Sequence, residues 1–357
     1  MRVITVDNAH QALPRGIDML EREGVSRESR NGPVIQMRGP VTTVYEHPEE
    51  RVVFHEARDY NVAFVLYEAL WMLAGRQDVA PLLRYVKDFD KYSDDGKTLH
   101  GAYGYRWLHT GVKDQLAIIA DRLRRDPLDR RAVLQIWDSR QDLGVNSKDI
   151  PCNLTVTFQT DHNGHLDMVV FCRSNDMIWG AYYANAFHFS LLQEYMSRWI
   201  GCPVGTYTQI SVNYHAYLDI LKKVSRIPHS YTHLTRPVTH DPYRGGATAE
   251  WKVIPTVLPG MLSDCDVVIG SLLRQADEGF KYDPFVNRKM GYFYDCAKAV
   301  LWAHDKWRTL SGSERFTSPI AILQQADQSS DLVQSMTQWI RRRQARWLAN
   351  LIKEDVG

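Results

Sequence analysis

Residues 165–200 read HLDMVVFCRSNDMIWGAYYANAFHFSLLQEYMSRWI and contain two different apolar patterns. Residues 165–172 form a β-rich run that predicts a strand, and residues 186–200 have the apolar spacing of a helix. Arg173 and Ser174 lie where the strand ends. Because a guanidinium grips phosphate through a planar fork and a hydroxyl adds a donor, this junction is a candidate phosphate contact. The stretch therefore predicts mixed α and β structure.

Similar patterns extend on both sides of this stretch. Strands are predicted over residues 34–38, 41–45, 132–137, 154–160 and 207–212, and helices over residues 8–23, 61–74 and 115–125. Residues 25–33 carry turn formers and predict a loop, and residues 88–107 predict irregular structure. These elements predict an α+β core over residues 1–235.

The amino-acid composition of the chain changes beyond residue 235. The segment TRPVTHDPYRGGATAEW, residues 235–251, is rich in Pro, Gly and Thr and predicts a linker or a long loop. Helical patterns follow, and the clearest spans residues 330–353. We therefore expect a mainly helical C-terminal extension over residues 236–357, packed on the core.

The composition excludes several classes of protein. The chain has 357 residues, 44% of them hydrophobic, and a formal net charge of +1, which is ordinary globular composition and argues against a nucleic-acid binder as a whole. Five dispersed cysteines without a C-x-x-C pair fit reduced thiols. With neither a signal-peptide pattern nor a long apolar run, the sequence predicts a cytoplasmic protein outside the membrane. No metal site is predicted.

Two residues are candidates for acid–base or nucleophilic chemistry. Cys152 follows a proline at a loop–strand junction, where a partly exposed thiol activated by cations would be a nucleophile. The alternative is a buried cysteine that acts as a small hydrophobe. Glu68 interrupts an apolar helix, so it is either a functional buried carboxylate or the one position where the helix reaches solvent. The sequence leaves both alternatives open.

Further arginines could add to a phosphate site. Arg30 lies in the early loop, and Arg130 and Arg131 precede the strand predicted at residue 132. Together with Arg173 and Ser174 they would suit a phosphate monoester. Taken singly, each arginine is more often a solvated surface residue, and only convergence in space would make a site.

Seven segments in this order resemble the thymidylate synthase family over about residues 8–220. They are EGVSRESRNG, YEALWMLAG, LHGAYGYRW, DPLDRRAVLQIW, IPCN, RSNDMIWGAYYAN and VNYHAY. The resemblance implies a mixed β-sheet flanked by helices, in a homodimer whose sheets pack face to face and whose active sites are shared. It also implies folate-dependent transfer of one carbon to C5 of a pyrimidine nucleoside monophosphate, after Cys152 adds to C6.

The same resemblance implies a role for each matching residue. Glu68 would order water and move protons, and the base that removes the C5 proton would be ordered water or Tyr103. The phosphate ligands would be Arg30, Arg173 and Ser174, with Arg130 and Arg131 from the partner subunit. The sugar ligands would be His215 and Tyr217. The contacts to 5,10-methylenetetrahydrofolate would be Asp176, Phe89, Tyr92 and Gly180.

Asn185 matches the residue that reads the pyrimidine edge if one extra residue is allowed after Gly180. Without that residue, Ala184 takes the position. We favour the extra residue, because NAFHFSLL then begins the following helix. An asparagine here favours a uracil nucleotide, although an amide that flips would also suit cytosine. The sequence leaves ribose and deoxyribose open.

Departures from the family pattern bear on the product. Asn153 replaces a histidine, Phe89 and Tyr92 replace tryptophans, and the chain ends LIKEDVG instead of in a short apolar lid. A more open site favours water over hydride at the C5 methylene, and hence a hydroxymethyl product over a methyl product. We therefore expect hydroxymethylation, with thymidylate synthesis as the alternative.

Two non-catalytic functions are also open. One is a nucleotide-binding relative without turnover, which the joint presence of Cys152, Glu68, Tyr103, Asp176 and the arginines disfavours. The other is nucleic-acid binding by the arginine run of residues 341–346. We favour a basic helix face docked on the core for that run, so a nucleic-acid partner is not expected.

Overall fold

The computed structural model describes residues 2–111, 114–225, 241–245, 252–281 and 290–356, with side chains up to residue 352. Its strands are β1 (Arg2–Val6), β2 (Val25–Ser29), β3 (Gly32–Gln36), β4 (Val41–Tyr45), β5 (Val133–Gln135), β6 (Asn153–Thr160), β7 (Leu166–Asp176) and β8 (Val204–Tyr217). Its helices are α1 (Ala9–Glu23), α2 (Val62–Leu73), α3 (Tyr103–His109), α4 (Gln115–Arg125), α5 (Ser139–Asp142), α6 (Asn185–Ile200), α7 (Leu218–Val224), α8 (Leu262–Glu278), α9 (Tyr292–Thr309), α10 (Glu314–Gln324) and α11 (Asp331–Val356).

The strands form one mixed sheet in the order β1-β4-β8-β7-β6-β5, and the β2–β3 hairpin joins it alongside β8. The pairs β1–β4 and β7–β8 are parallel, whereas β4–β8, β6–β7 and β5–β6 are antiparallel. Helices flank this sheet. The predicted α+β class with a thymidylate synthase-like mixed sheet is therefore confirmed.

Helix α2 is the centre of the helical layer. Asn61 caps its start by accepting a hydrogen bond from the Phe64 amide, and every residue of the helix except Glu68 is buried. A helix that is apolar almost all round must have neighbours on every side. Here α6, α8, α9 and α11 supply them.

Two expectations for irregular segments are wrong. Residues 25–33 form the β2–β3 hairpin, with Arg30 in its turn. The strand β2 is mostly exposed, so it lacks the alternation of polar and apolar residues that marks a strand. Of residues 88–107, expected to be irregular, residues 103–107 belong to helix α3. Gly104 allows this, because a Cβ there would overlap the Met72 backbone of α2.

The described residues after 240 pack against the earlier ones. The Tyr67 hydroxyl donates to Asp277 at 2.5 Å, the Tyr195 hydroxyl donates to Asp266 at 2.7 Å, and the buried Glu194 accepts a hydrogen bond from the Leu258 amide at 2.5 Å. One hydrophobic core runs from the sheet through α2 into α8, α9 and α11. The boundary between residues 235 and 236 stays a prediction, because residues 226–240 lie outside the described part.

The described part of the predicted linker or long loop, residues 241–245, forms turns without helix or strand and is held against the core. Asp241–Gly245 is attached to the start of α1, where Asn8 and Gln11 donate to Asp241 at 2.8 and 2.9 Å. Arg244 forms ion pairs with Asp7 and Glu50. Residues 235–240 and 246–251 lie outside the described residues. Among the helices that the structure describes, none is long and apolar enough to cross a membrane.

Candidate active site

The loop before β6 carries Cys152, and Arg173 on β7 fixes this loop. The Arg173 guanidinium donates to the carbonyls of Pro151 and Ile150 at 2.8 and 2.9 Å, and its backbone amide donates to the Cys152 carbonyl at 2.9 Å. Its Nη1 has no hydrogen bond within the described part of the chain. Arg173 thus holds the loop that carries the thiol, and one of its guanidinium nitrogens could bind a ligand.

Burial dominates the protonation of Cys152. It raises the pKa of the thiol, and nearby Asp149 raises this pKa further, whereas Arg173 and Arg30 lower it. The sequence predicted that arginines would favour the thiolate, and the arginines do lower the pKa of the thiol. In the ligand-free chain the desolvation is larger, so the thiol is the resting form.

A cavity of about 210 Å³ lies beside this loop, between α2, α3 and the start of α6. Its polar and aromatic lining is Glu68, Trp71, Phe89, Tyr92, Tyr103, Asp149, Asn185 and His188. The side chain of Glu68 is 15% exposed, and its Oε2 lies 3.2 Å from Nε2 of His188. Of the two alternatives for Glu68, the structure supports the carboxylate that faces a pocket.

His188 and Asp149 were not among the candidates from the sequence. His188 follows Asn185 by three residues on α6, so helical periodicity could have placed both on one face. Asp149 accepts a hydrogen bond from the Gly101 amide at 2.8 Å, and burial raises the pKa of this carboxyl. No local pattern distinguishes Asp149 from a loop aspartate.

Tyr103, the first residue of α3, lines the cavity. Burial and the neighbouring Cys152 raise the pKa of its phenol well above the usual value. The ring therefore carries a proton at neutral pH. Tyr103 can hold or pass on a proton but has no phenolate charge.

Asn185 belongs to a set of buried amides. Its Nδ2 donates to Asn175 at 3.0 Å, and its Oδ1 accepts a hydrogen bond from Asn153 at 3.2 Å. The preceding segment, Met177–Ala184, is a π-helix, whose wider turn accommodates one extra residue. The structure thus gives a physical reason for the extra residue after Gly180, and Asn185 extends into the site.

Gly180 has a steric role in this arrangement. A Cβ at this position would overlap Oδ1 of Asn175 and lie 3.3 Å from Nδ2 of Asn185. Only hydrogen fits between the backbone and the Asn175–Asn185 pair. A contact with a folate, expected from the sequence, stays a prediction.

Asp176 ends β7 and caps the π-helix. Its Oδ1 accepts hydrogen bonds from the amides of Ile178 and Trp179 at 2.8 and 2.6 Å. Its Oδ2 is buried and has no hydrogen-bond partner among the described residues, and burial raises the pKa of the carboxyl. Such an oxygen needs a donor, and an amino-substituted heterocycle such as a pterin would supply one.

The predicted sugar ligands lie next to Asp176. His215 on β8 is paired with Asp176 in the parallel ladder, and its ring packs edge-on to Tyr217 with the centroids 5.7 Å apart. Asn31 in the β2–β3 turn donates to the Tyr217 hydroxyl at 3.4 Å. The hairpin therefore brings Arg30 towards the same end of the sheet as Ser174 and Arg173.

Arg130 and Arg131 do not join this cluster within one chain. They precede β5 and are exposed. The Arg131 side chain forms two hydrogen bonds of 2.8 Å to Asp129 and is 76% exposed. Their predicted role requires a second subunit and stays a prediction.

The arginine run of α11 docks on the core. Arg343 forms a bidentate pair with Asp59 at 2.9 and 3.0 Å, and Arg342 and Arg346 lie 3.7 and 3.8 Å from the same carboxylate. Adjacent Arg58 stacks on Trp179 and Tyr183. The docked helix is therefore the better explanation for this run. Among the described residues, no group of three or more His, Cys, Asp or Glu side chains is arranged to hold a metal ion.

Comparison with known proteins gives the same family as the motifs. The family model for thymidylate synthase matches residues 15–240. A deoxyuridylate hydroxymethyltransferase of Pseudomonas phage M6 is 42% identical, over 98% of this chain and 96% of its own length. Another protein of that name, from Bacillus phage SP01, is 38% identical over 53% of this chain and 54% of its own length. A putative thymidylate synthase of Methanosarcina barkeri is 25% identical over 60% and 89%. By its motifs, its mixed sheet and these matches, the chain belongs to the thymidylate synthase family.

Proposed function

We propose that this protein transfers a hydroxymethyl group to C5 of deoxyuridylate. The observation that carries the proposal is the convergence of the Cys152–Arg173 loop with the cavity that contains Glu68 and Asn185. The relative that matches almost the whole chain is named a deoxyuridylate hydroxymethyltransferase. The activity is therefore that of a transferase acting on a pyrimidine nucleoside monophosphate.

In this reaction Cys152 is the nucleophile. Its thiolate adds to C6 of the pyrimidine, and the electron pair moves to C5 and O4. Since the resting group is a thiol, a proton must leave Sγ as the bond to C6 forms. Glu68, with His188 beside it, holds water and moves protons at the O4 and C5 edge. Asn185 binds that edge. After substitution the C5 proton is lost to water, directly or through the Tyr103 hydroxyl as a relay, and the ring double bond is restored when the Cys152 thiolate leaves C6.

The anionic end of the nucleotide binds at the end of β7. Arg30, Arg173 and Ser174 are the phosphate ligands that one chain supplies, and His215 and Tyr217 bind the sugar hydroxyl. Arg173 then has two roles, because the same guanidinium holds the Cys152 loop and meets the phosphate. Binding of the nucleotide and alignment of the thiol are thereby linked.

The one-carbon donor is a folate, and we propose 5,10-methylenetetrahydrofolate. When bound, it supplies a carbon at the oxidation level of formaldehyde. The buried, unpaired Oδ2 of Asp176 fits a donor group on the pterin. Phe89 and Tyr92, whose rings lie 5.5 Å apart edge-on, line the cavity and would pack against the folate. Gly180 has no side chain, so the backbone at this position could also approach the folate closely.

Water, and not hydride, completes the reaction at the C5 carbon. Tyr92 is 47% exposed, so the aromatic wall that replaces the two tryptophans reaches solvent. Access of water in the last step gives a hydroxymethyl product and leaves tetrahydrofolate in its reduced state. Hydride transfer would give a methyl group and dihydrofolate.

The test of this function measures product and folate together. The purified enzyme is incubated with 5,10-methylenetetrahydrofolate and dUMP, UMP, dCMP or CMP, and the nucleotide mass and the dihydrofolate absorbance are recorded. We expect 5-hydroxymethyl-dUMP without dihydrofolate. Stoichiometric dihydrofolate with a 5-methyl product would establish thymidylate synthesis instead, and binding without any turnover would establish a non-catalytic relative.

We also propose a homodimer with shared active sites. The face of the sheet opposite α6 has a continuous row across six strands, Val133, Thr157, Val169, Thr208, Val44 and Thr5, and none of these six side chains is buried. A second copy packed on this face would cover the row. It would also bring Arg130 and Arg131 of one subunit to the phosphate site of the other.

A further inference from the structure

A chain of five buried side chains runs from the start of β6, next to Cys152, to β8. Asn153 Nδ2 donates to Asn185 at 3.2 Å, and Asn185 Nδ2 donates to Asn175 at 3.0 Å. Asn175 Nδ2 donates to Gln209 at 2.9 Å and also to Ser211 Oγ at 3.0 Å, and Gln209 donates to the Tyr207 hydroxyl at 2.8 Å. We call Asn153, Asn185, Asn175, Gln209 and Tyr207 the amide chain. Every member is less than 9% exposed.

All the donors of the amide chain point the same way, from Asn153 towards Tyr207. Turning the Asn185 amide by 180° would place its Oδ1 against Oδ1 of Asn175 and its Nδ2 against Nδ2 of Asn153. A buried amide without its partners costs about 1–3 kcal/mol. The orientation of Asn185 is therefore coupled to that of its neighbours, and hydrogen bonds in such a chain strengthen one another.

Asn175 is the central link. It accepts from Asn185 and donates to two acceptors on β8, so its own amide has three partners. Gly180 leaves the space that its Oδ1 occupies. No other side chain joins Asn185 to β8 among the hydrogen bonds of the described residues.

We propose that Asn175 is a positioning residue that holds the Asn185 amide in one orientation and thereby makes the site select uracil over cytosine. This inference rests on the proposed function, in which Asn185 binds the pyrimidine edge. Uracil presents a donor at N3 and an acceptor at O4, whereas cytosine presents an acceptor at N3 and a donor at N4. One fixed amide complements only one of these edges, and an amide free to turn complements both.

The test compares Asn175→Leu with Asn175→Asp. Leucine has a similar size and no hydrogen bonds, so it frees Asn185. Aspartate keeps an acceptor for Asn185 Nδ2, and Gln209 and Ser211 can turn to donate to it. The control is Thr43→Val, which removes a buried hydrogen bond of 3.1 Å to Tyr182 in the same sheet and leaves the amide chain intact.

The measured quantity is the ratio of kcat/KM for dUMP to that for dCMP. We expect the ratio to fall about tenfold or more in Asn175→Leu, and to stay near the wild-type value in Asn175→Asp and Thr43→Val. If folded Asn175→Leu has lower activity or stability but an unchanged ratio, then Asn175 only stabilises the structure and the proposal is overturned.

Two further measurements keep the test decisive. If Asn175→Leu does not fold, Gln209→Met breaks the next link of the amide chain, and the ratio should fall in the same direction; an unchanged ratio there also overturns the proposal. The ratio of Kd values for dUMP and dCMP, measured in a Cys152→Ser background, needs no turnover. A wild-type enzyme that releases no product would thus refute the proposed function while the binding ratio still decides the role of Asn175.

Discussion

Replacing Gly180 by alanine tests whether the amides behind the nucleotide site are as tightly fitted as the structure indicates. The backbone of Gly180 is not in the left-handed region, so alanine brings no conformational strain. Its Cβ would overlap Oδ1 of Asn175, which is almost completely buried and must move. Asn175 holds three hydrogen bonds, to Asn185, Gln209 and Ser211.

The magnitude follows from how many of these bonds are lost. A hydrogen bond contributes about 1 kcal/mol net, so loss of one to three lowers the free energy of unfolding by about 1–3 kcal/mol, the usual cost of overpacking a core. Displacement of Asn185 by one broken bond should weaken dUMP binding about fivefold. Urea denaturation measures the first quantity and calorimetric titration of dUMP the second.

Two further variants separate overlap from other effects. Gly39→Ala is the matched control, because a Cβ there meets no atom within 4 Å, and it should change neither quantity. In the double variant Gly180→Ala with Asn175→Ser, the smaller serine leaves room for the alanine Cβ. The loss of stability in the double variant should therefore be smaller than the sum of the losses in the two single variants. Unchanged stability and dUMP affinity in Gly180→Ala, or strictly additive losses in the double variant, would refute the close fit.

Three other predictions follow from the site. Cys152→Ser should abolish turnover and retain dUMP binding, because an alkoxide is much harder to form than a thiolate, whereas Cys202→Ser, a partly exposed thiol in another loop, should stay active; residual activity above a few per cent in Cys152→Ser contradicts the nucleophile. Mixing and reassorting inactive Arg131→Ala and Cys152→Ala subunits should restore up to about a quarter of wild-type activity, since half the dimers are hybrids with one intact site; no recovery argues against shared sites. Burial raises the pKa of Cys152, and attack needs the deprotonated thiol, so kcat/KM should rise with pH through and above neutrality. Because Arg173 lowers this pKa, Arg173→Ala should move the rise to higher pH. A rate independent of pH over this range would show that another step or group controls it.

The sequence by itself determined the family, the mixed sheet and the elements that carry the chemistry. Helices with strongly apolar sequences, such as α2 and α6, lie where the sequence predicted them. The short motifs around Cys152 and Arg173 are local, because Cys152 directly precedes β6 and Arg173 lies near the end of β7. Their order along the chain was sufficient to predict the class of reaction.

Only the tertiary structure decided which side chains meet. It placed His188 against Glu68, joined Asn175 to Asn185 and Gln209, and attached Asp241 to the start of α1. It also showed that burial raises the pKa of Cys152 more than the arginines lower it, although the sequence had predicted a thiolate favoured by the arginines. These outcomes depend on contacts between residues far apart in the chain and on removal of water from them. Neither appears in local periodicity, because a sequence pattern indicates which face of an element is buried but not which polar group lies opposite it.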